Sequence, residues 1–305
     1  MQKRHFSLAI GAVVFASLSG CSFTPTRPAQ PVNTGAALKA QGCDLLPDQD
    51  RSTIVILEPS TGRKLVCTEA RSHQRFVPAS TLKIPHSLIA LETSAVTSKD
   101  AKFAWDERAR GPEAWNKSLS LAEAIPASAV WVFQDIAEKV GHPRESEWVK
   151  KLEFGNQDVG SKAALKHFWL SGPLEISAQE QIDFLRRLRT GRLPVKPAIV
   201  AQTISALHVA QAQDGSTIYG KTGAMLPIDD EGFLRSDRTD LLPLGTERTG
   251  WFVGWIDRTE SAGGLIYFAL NIDLGLPDAM NARTKAAYAV LAANGFSTPK
   301  PSPQK

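Results

Sequence analysis

Residues 75–92 read RFVPASTLKIPHSLIALE. Ser80 and Lys83 stand three positions apart at the head of an apolar run, so on a helix their side chains share a face and can meet. A lysine among Leu82, Ile84, Leu88 and Ile89 gives up water and rotamer freedom. That loss is offset when the lysine is the base that takes a proton from a serine nucleophile. A helix start adds unpaired backbone N–H groups and a positive dipole end, which suit an oxyanion forming beside Ser80. Pro85 fits near such a start better than in a helix interior. The competing reading is a solvated lysine on the first turn of an ordinary helix. The pattern alone does not choose: Ser-x-x-Lys is expected about once in a chain of this composition, and STPK at 297–300 is a second copy.

A second lysine sits in KTG, Lys221 to Gly223, within the strand-like TIYGKTGA. An ideal pleat sends Lys221 and Gly223 to one face and Thr222 to the other, and a glycine lets a ligand approach the backbone. Taken alone, KTG is a strand running into a turn. Ser-Ala-Val occurs twice, at Ser94 and Ser128. Ser94 follows Ser80 on the same helical run and marks its end. Ser128 follows Pro126 at the entry to AVWVFQDIAEKVG, whose Val130, Phe133, Ala137 and Val140 share a helical face. Ser128 is therefore the serine expected to point into a cleft, and it is also a candidate N-cap.

The elements that must position these residues follow from periodicity. STIVILEPSTGRKLVC predicts two β-branched strands around a Pro-Ser-Thr-Gly turn. Residues 80–200 are mostly helical in pattern, ending with SAQEQIDFLRRLRTG, where Ser177 caps and Gly191 follows the end. Strands return in STIYGKTGA, TGWFVGWID and GGLIYFALNID, before a closing helix in DAMNARTKAAYAVLAANG. The fold class is α/β (α+β): a central antiparallel sheet built from both ends of the chain, flanked by helices, with a mostly helical lobe. A cleft between sheet and lobe is the expected place for a site.

The 305 residues are 43% hydrophobic and 22% charged, the composition of a globular protein large enough to enclose a site. A net charge of +4, with no basic stripe, argues against nucleic acid as a partner. The first residues carry Lys3 and Arg4, the apolar run FSLAIGAVVFASL, then LSGC ending at Cys21, the pattern of an export signal. LSGC resembles a bacterial lipoprotein box, in which Cys21 becomes the lipidated first residue; an ordinary secretory peptide cut nearby is the alternative. Residues 22–40, rich in Pro and Thr at their start, suit a tether, and 297–305 a disordered tail. Cys43 and Cys67 are either bridged or two buried thiols, since export permits a disulfide without requiring one. No His sits at metal-ligand spacing, so no metal is expected.

In the order Ser80-x-x-Lys83, Ser128-x-Val130, Lys221-Thr222-Gly223, the chain resembles the penicillin-recognising serine acyltransferases. It most resembles the class D β-lactamases, the oxacillinases, over about residues 50–295. FGN at Phe154 to Asn156 stands where that family has Tyr-Gly-Asn. FWLSGPLEISAQEQIDFLRRL is similar to the segment carrying the family's site tryptophan, here Trp169, and NARTKAAYAVL places Arg283 at the substrate-carboxylate arginine. The resemblance implies a catalytic domain over 41–296 and a β-lactam substrate. It implies that Lys83, desolvated by Val130, Phe133, Trp169 and Leu170, reacts with carbon dioxide to give an N-carboxylated lysine that is the general base in both half-reactions, with no other cofactor. By the same pattern the backbone N–H groups of Ser80 and Ala224 form an oxyanion hole. Ser128 and Lys221 relay a proton to the leaving nitrogen, and Thr222 and Arg283 hold the substrate carboxylate.

Two departures stand out. Trp131 follows Ser-Ala-Val where many members have proline, and the 27 residues from Ala224 to Gly250 are long for the family. They bear on substrate range. Two other functions share the fold: a non-hydrolytic β-lactam sensor and a D-alanyl-D-alanine peptidase. The expected location is the periplasm, with the chain lipid-anchored to the outer membrane through Cys21, as a monomer or homodimer.

Overall fold

The β-branched segment that opens the chain's patterned region does form a hairpin. A computed structural model of the chain describes residues 36–230, 233, 248–275 and 279–299. The strands are β1 (Leu38–Lys39), β2 (Ser52–Glu58), β3 (Arg63–Cys67), β4 (Lys102–Phe103), β5 (Leu119–Ser120), β6 (His208–Gln211), β7 (Thr217–Ala224), β8 (Thr249–Asp257) and β9 (Ile266–Asp273). Seven of them make one sheet in the order β1-β3-β2-β9-β8-β7-β6, while β4 and β5 pair separately. Every pair in the large sheet is antiparallel except β1 with β3. The N-terminal hairpin thus joins the C-terminal strands through β2 and β9, with Ser52 opposite Ile272.

Alternation along the strands divides the core. Val55, Leu57, Trp251, Val253, Trp255, Tyr267 and Ala269 face one way, into a cluster with the helical block. Ile54, Ile56, Phe252, Ile256, Phe268, Leu270 and Ile272 face the other, as the two-residue period of a strand requires. Eight helices cover these faces among the described residues: α1 (Glu69–His73), α2 (Lys83–Glu92), α3 (Leu121–Ala127), α4 (Val130–Val140), α5 (His142–Lys151), α6 (Ala178–Arg189), α7 (Pro197–Ser205) and α8 (Ala279–Ala293). Helices α2, α4 and α6 contribute Leu88, Phe133 and Leu185 to the first cluster. Helix α8 packs Ala287, Val290 and Leu291 on the second. Capping boxes start α3, through Ser120 and Glu123, and α6, through the Ser177 cap read from the sequence and Glu180.

Three expectations change in detail. Ser128 is not the N-cap of α4; it ends α3 in the left-handed region at φ 57°, and Ala129 precedes α4. Leu38–Lys39, inside the segment expected as a tether, pair with Leu65 and Val66 of β3. At the other end Ser297 and Thr298 accept hydrogen bonds from Asp214 and Gln213 backbone N–H groups, so the tail begins on the β6–β7 turn. The choice left open for the cysteines is settled: Cys43 and Cys67 form a disulfide with a Cα–Cα distance of 5.6 Å. Residues 1–35, including Cys21, lie outside the described residues. Among those described, no helix is long and apolar enough to cross a membrane.

Candidate active site

Ser80 lies in a 3-10 turn, Ala79–Leu82, that leads directly into α2 at Lys83. Ala79 holds a positive φ of 48°, and its N–H donates to Trp169 O at 2.9 Å, fixing the turn from outside. Thr81 Oγ1 donates to Pro78 O and accepts from Gln181 Nε2 of α6, both at 2.8 Å. The nucleophile candidate is thus anchored on both sides. Lys83 Nζ donates to Ser80 Oγ at 3.0 Å. The lysine is 1% exposed, and its Nζ stands 4.8 Å from the centre of the Phe133 ring. Burial, with the charge of Lys221 second, holds its amine well below the ordinary lysine value, which favours the neutral, nucleophilic form.

Strand β7 brings the second lysine. Lys221 Nζ donates to Ser128 Oγ at 3.0 Å and to Thr222 O at 2.8 Å. Burial, then the nearby charge of Arg283, brings its pKa down to about 7. The left-handed turn at Ser128 is what aims its hydroxyl at the strand instead of along α4. Gly223 is required by the close approach of β7 to the serine turn: a Cβ there would sit 3.0 Å from Pro78 O and 3.3 Å from Thr81 Cγ2. Met225 N–H donates to Thr249 O of the neighbouring strand. By alternation, Ala224 N–H faces away from that neighbour, as an oxyanion donor must.

Ser80, Ser128, Val130, Leu170, Thr222, Ala224 and Arg283 all line one cleft. Arg283 of α8 is 9% exposed; its Nε donates to Met280 O at 3.0 Å, and its Nη1 donates to Gly223 O. One edge of its fork is therefore used to hold the strand. Trp169 is fully buried behind the cleft wall, and its indole Nε1 has no hydrogen-bond partner. No group of His, Cys, Asp and Glu among the described residues is gathered for a metal.

Sequence reading missed part of the wall. Trp115, Leu226, Ile228 and Met280 complete the cleft. Trp131, the departure after Ser-Ala-Val, donates its indole N–H to Trp115 O at 3.1 Å and so shores up that wall. Nothing in local spacing connects those two tryptophans; the link is tertiary. Of the long 224–250 segment, residues 231, 232 and 234–247 lie outside the described residues.

Residues 52–292 match the family described as the penicillin binding protein transpeptidase domain. The chain is 32% identical over 248 residues to the β-lactamase OXA-5 of Pseudomonas aeruginosa, covering 79% of this chain and 83% of that one. It is 33% identical over 221 residues to the β-lactamase OXA-48 of Klebsiella pneumoniae, covering 72% and 75%. Among solved structures, the class D β-lactamase YbXI from Nostoc is similar with a TM-score of 0.71 and 30% identity, over 80% of this chain and 94% of that one. The class D β-lactamase from Bacillus subtilis is similar with a TM-score of 0.70 and 29% identity, over 84% and 96%. With that identity running through most of both chains, and the fold with it, the chain belongs to the class D β-lactamase family.

Proposed function

We propose that the protein hydrolyses the amide bond of β-lactams through an acyl-enzyme on Ser80, with N-carboxylated Lys83 as general base. The observation that carries this reading is the buried Lys83 amine at 3.0 Å from Ser80 Oγ. A charged lysine at that depth would neither accept the serine proton nor react with carbon dioxide; a neutral one does both. The unpartnered indole N–H of Trp169 is a donor for the carboxylate that such a reaction adds. That carboxylate would take the Ser80 proton in acylation and the proton of the attacking water in deacylation.

The chain's other groups have separate work. Ser80 and Ala224 N–H groups face the developing oxyanion. Lys221, through Ser128, delivers a proton to the departing lactam nitrogen. Thr222 and Arg283 receive the substrate carboxylate, for which a guanidinium is suited. Val130 and Leu170 line the cleft with apolar side chains, limiting bulk water while leaving room for the one that deacylation consumes.

Turnover of a chromogenic cephalosporin, with and without added bicarbonate after decarboxylation at low pH, tests the reading. Recovery with bicarbonate is expected. A stable acyl adduct without turnover would make the protein a sensor instead, and retained acylation by Ser80→Ala would show that another residue is the nucleophile. Lipid anchoring through Cys21 in the periplasm is proposed from the LSGC signal. Cys21→Ser is expected to move the protein from the membrane fraction to the soluble one.

A further inference from the structure

Behind the base lies a polar pair that the mechanism above does not use. His86 of α2 and Glu145 of α5 are both fully buried, and His86 Nε2 faces Glu145 Oε2 at 3.3 Å. Neither ring nitrogen of His86 and neither oxygen of Glu145 has a hydrogen-bond partner, so the pair is a close polar contact and not a formed hydrogen bond. Polar groups at such depth are costly without partners, so imidazole and carboxylate each gain from facing the other. As a tie between two helices the pair is a poor choice, because two apolar side chains of similar volume hold helices together at least as well.

Its location gives it a different use. The His86 ring meets Trp169 edge-on, with centroids 5.5 Å apart, and leans on Phe133 at 5.7 Å. Phe133 is the ring beneath Lys83 Nζ, and Trp169 carries the unpartnered indole N–H. The imidazole, one helical turn beyond Lys83, therefore touches both the ring beneath Lys83 Nζ and the tryptophan with the unpartnered indole N–H, while Glu145 faces it from α5.

We propose that His86 and Glu145 form a positioning pair for the Lys83 base: Glu145 fixes the imidazole, which sets the Phe133 and Trp169 rings that it touches. This rests on the carboxylation reading, since the pocket then passes from a neutral amine to an anion. Among the described residues, Lys221 from the sheet acts on Lys83, and Glu145 from α5 faces the imidazole.

The test is a bicarbonate titration of decarboxylated enzyme, with the carbamate followed by carbon-13 NMR after labelling with carbon-13 bicarbonate. His86→Leu/Glu145→Leu replaces the pair by apolar groups, and its folding is checked by thermal melting. The folded double variant is expected to need about tenfold more bicarbonate for half-maximal turnover, the scale found for groups that orient a reactive ligand from behind, with a matching loss of carbamate signal. Glu145→Gln keeps a polar side chain of nearly the same size against His86 and is expected to stay within about threefold of the parent, since contact and packing are both retained. It also keeps the test open if the double variant does not fold. A folded double variant with the parent's requirement and signal would overturn the proposal and leave a mere strut. So would a Gln variant as impaired as the double. Absence of any carbamate signal in the parent would overturn the carboxylation reading itself, and this inference with it.

Discussion

Lys221 Nζ and Ser128 Oγ are 3.0 Å apart across 93 positions of sequence. The serine reaches the strand because it sits in the left-handed region, which glycine tolerates better than any other residue. Ser128→Gly is therefore expected to keep stability within about 1 kcal/mol while lowering turnover about a hundredfold, the scale of a lost proton-transfer partner. Urea unfolding and steady-state kinetics on the same preparation check both halves.

Lys221 also makes stability depend on pH. Its folded pKa of about 7 lies below the unfolded value, so between the two the unfolded chain binds the extra proton. Stability from this group is lowest below about pH 7 and rises as pH climbs toward the unfolded lysine pKa. From pH 7 to pH 9 the parent is expected to gain about 2 kcal/mol relative to Lys221→Met. Chemical denaturation of both proteins at the two pH values measures the difference directly.

Gly223→Ala introduces a methyl group 3.2 Å from Trp251 Cβ and closer still to Pro78 O. Strand and serine turn must part, at a cost of about 1–3 kcal/mol. Because the turn carries Ser80, the acylation rate is expected to fall with stability, as stopped-flow mixing with substrate would record.

The disulfide should behave in the opposite way. Cys43 and Cys67 pack in the cluster on the α8 side of the sheet, away from the Lys83 side. Cys43→Ser/Cys67→Ser, opening a loop of 24 residues, is expected to cost about 3 kcal/mol. At 25 °C, kcat should be unchanged. Differential scanning calorimetry and turnover separate the two effects.

The site was legible where local pattern carries the chemistry. Ser80 with Lys83, and Lys221 in a strand, could be read because helix and strand spacing fix which side chains meet. Arg283 and Trp169 came only by resemblance, since a helix arginine or a buried tryptophan has no local signature. The conformation of Ser128 was misread: Pro126 looked like a helix-entry signal but lies within the last turns of α3. The His86–Glu145 pair was invisible because its members lie on separate helices, brought together by packing. The sheet's assembly from both ends followed from the order of patterned segments, whereas β1 has too few residues to leave a pattern.

The pairing of β2 with β9 sets a condition on when this protein can exist as an enzyme. A chain emerging N-terminus first holds Ser80 and Lys83 early and can pair β2 with β3, yet the other edge of β2 has no partner until residue 273 has emerged. Closing so long a loop is slow in search time. The serine turn likewise stays without the strand that packs against Gly223 until β7 is built. A fragment ending before β9 is therefore expected to be inactive, the catalyst forming only once the last strand and the Arg283 helix are present.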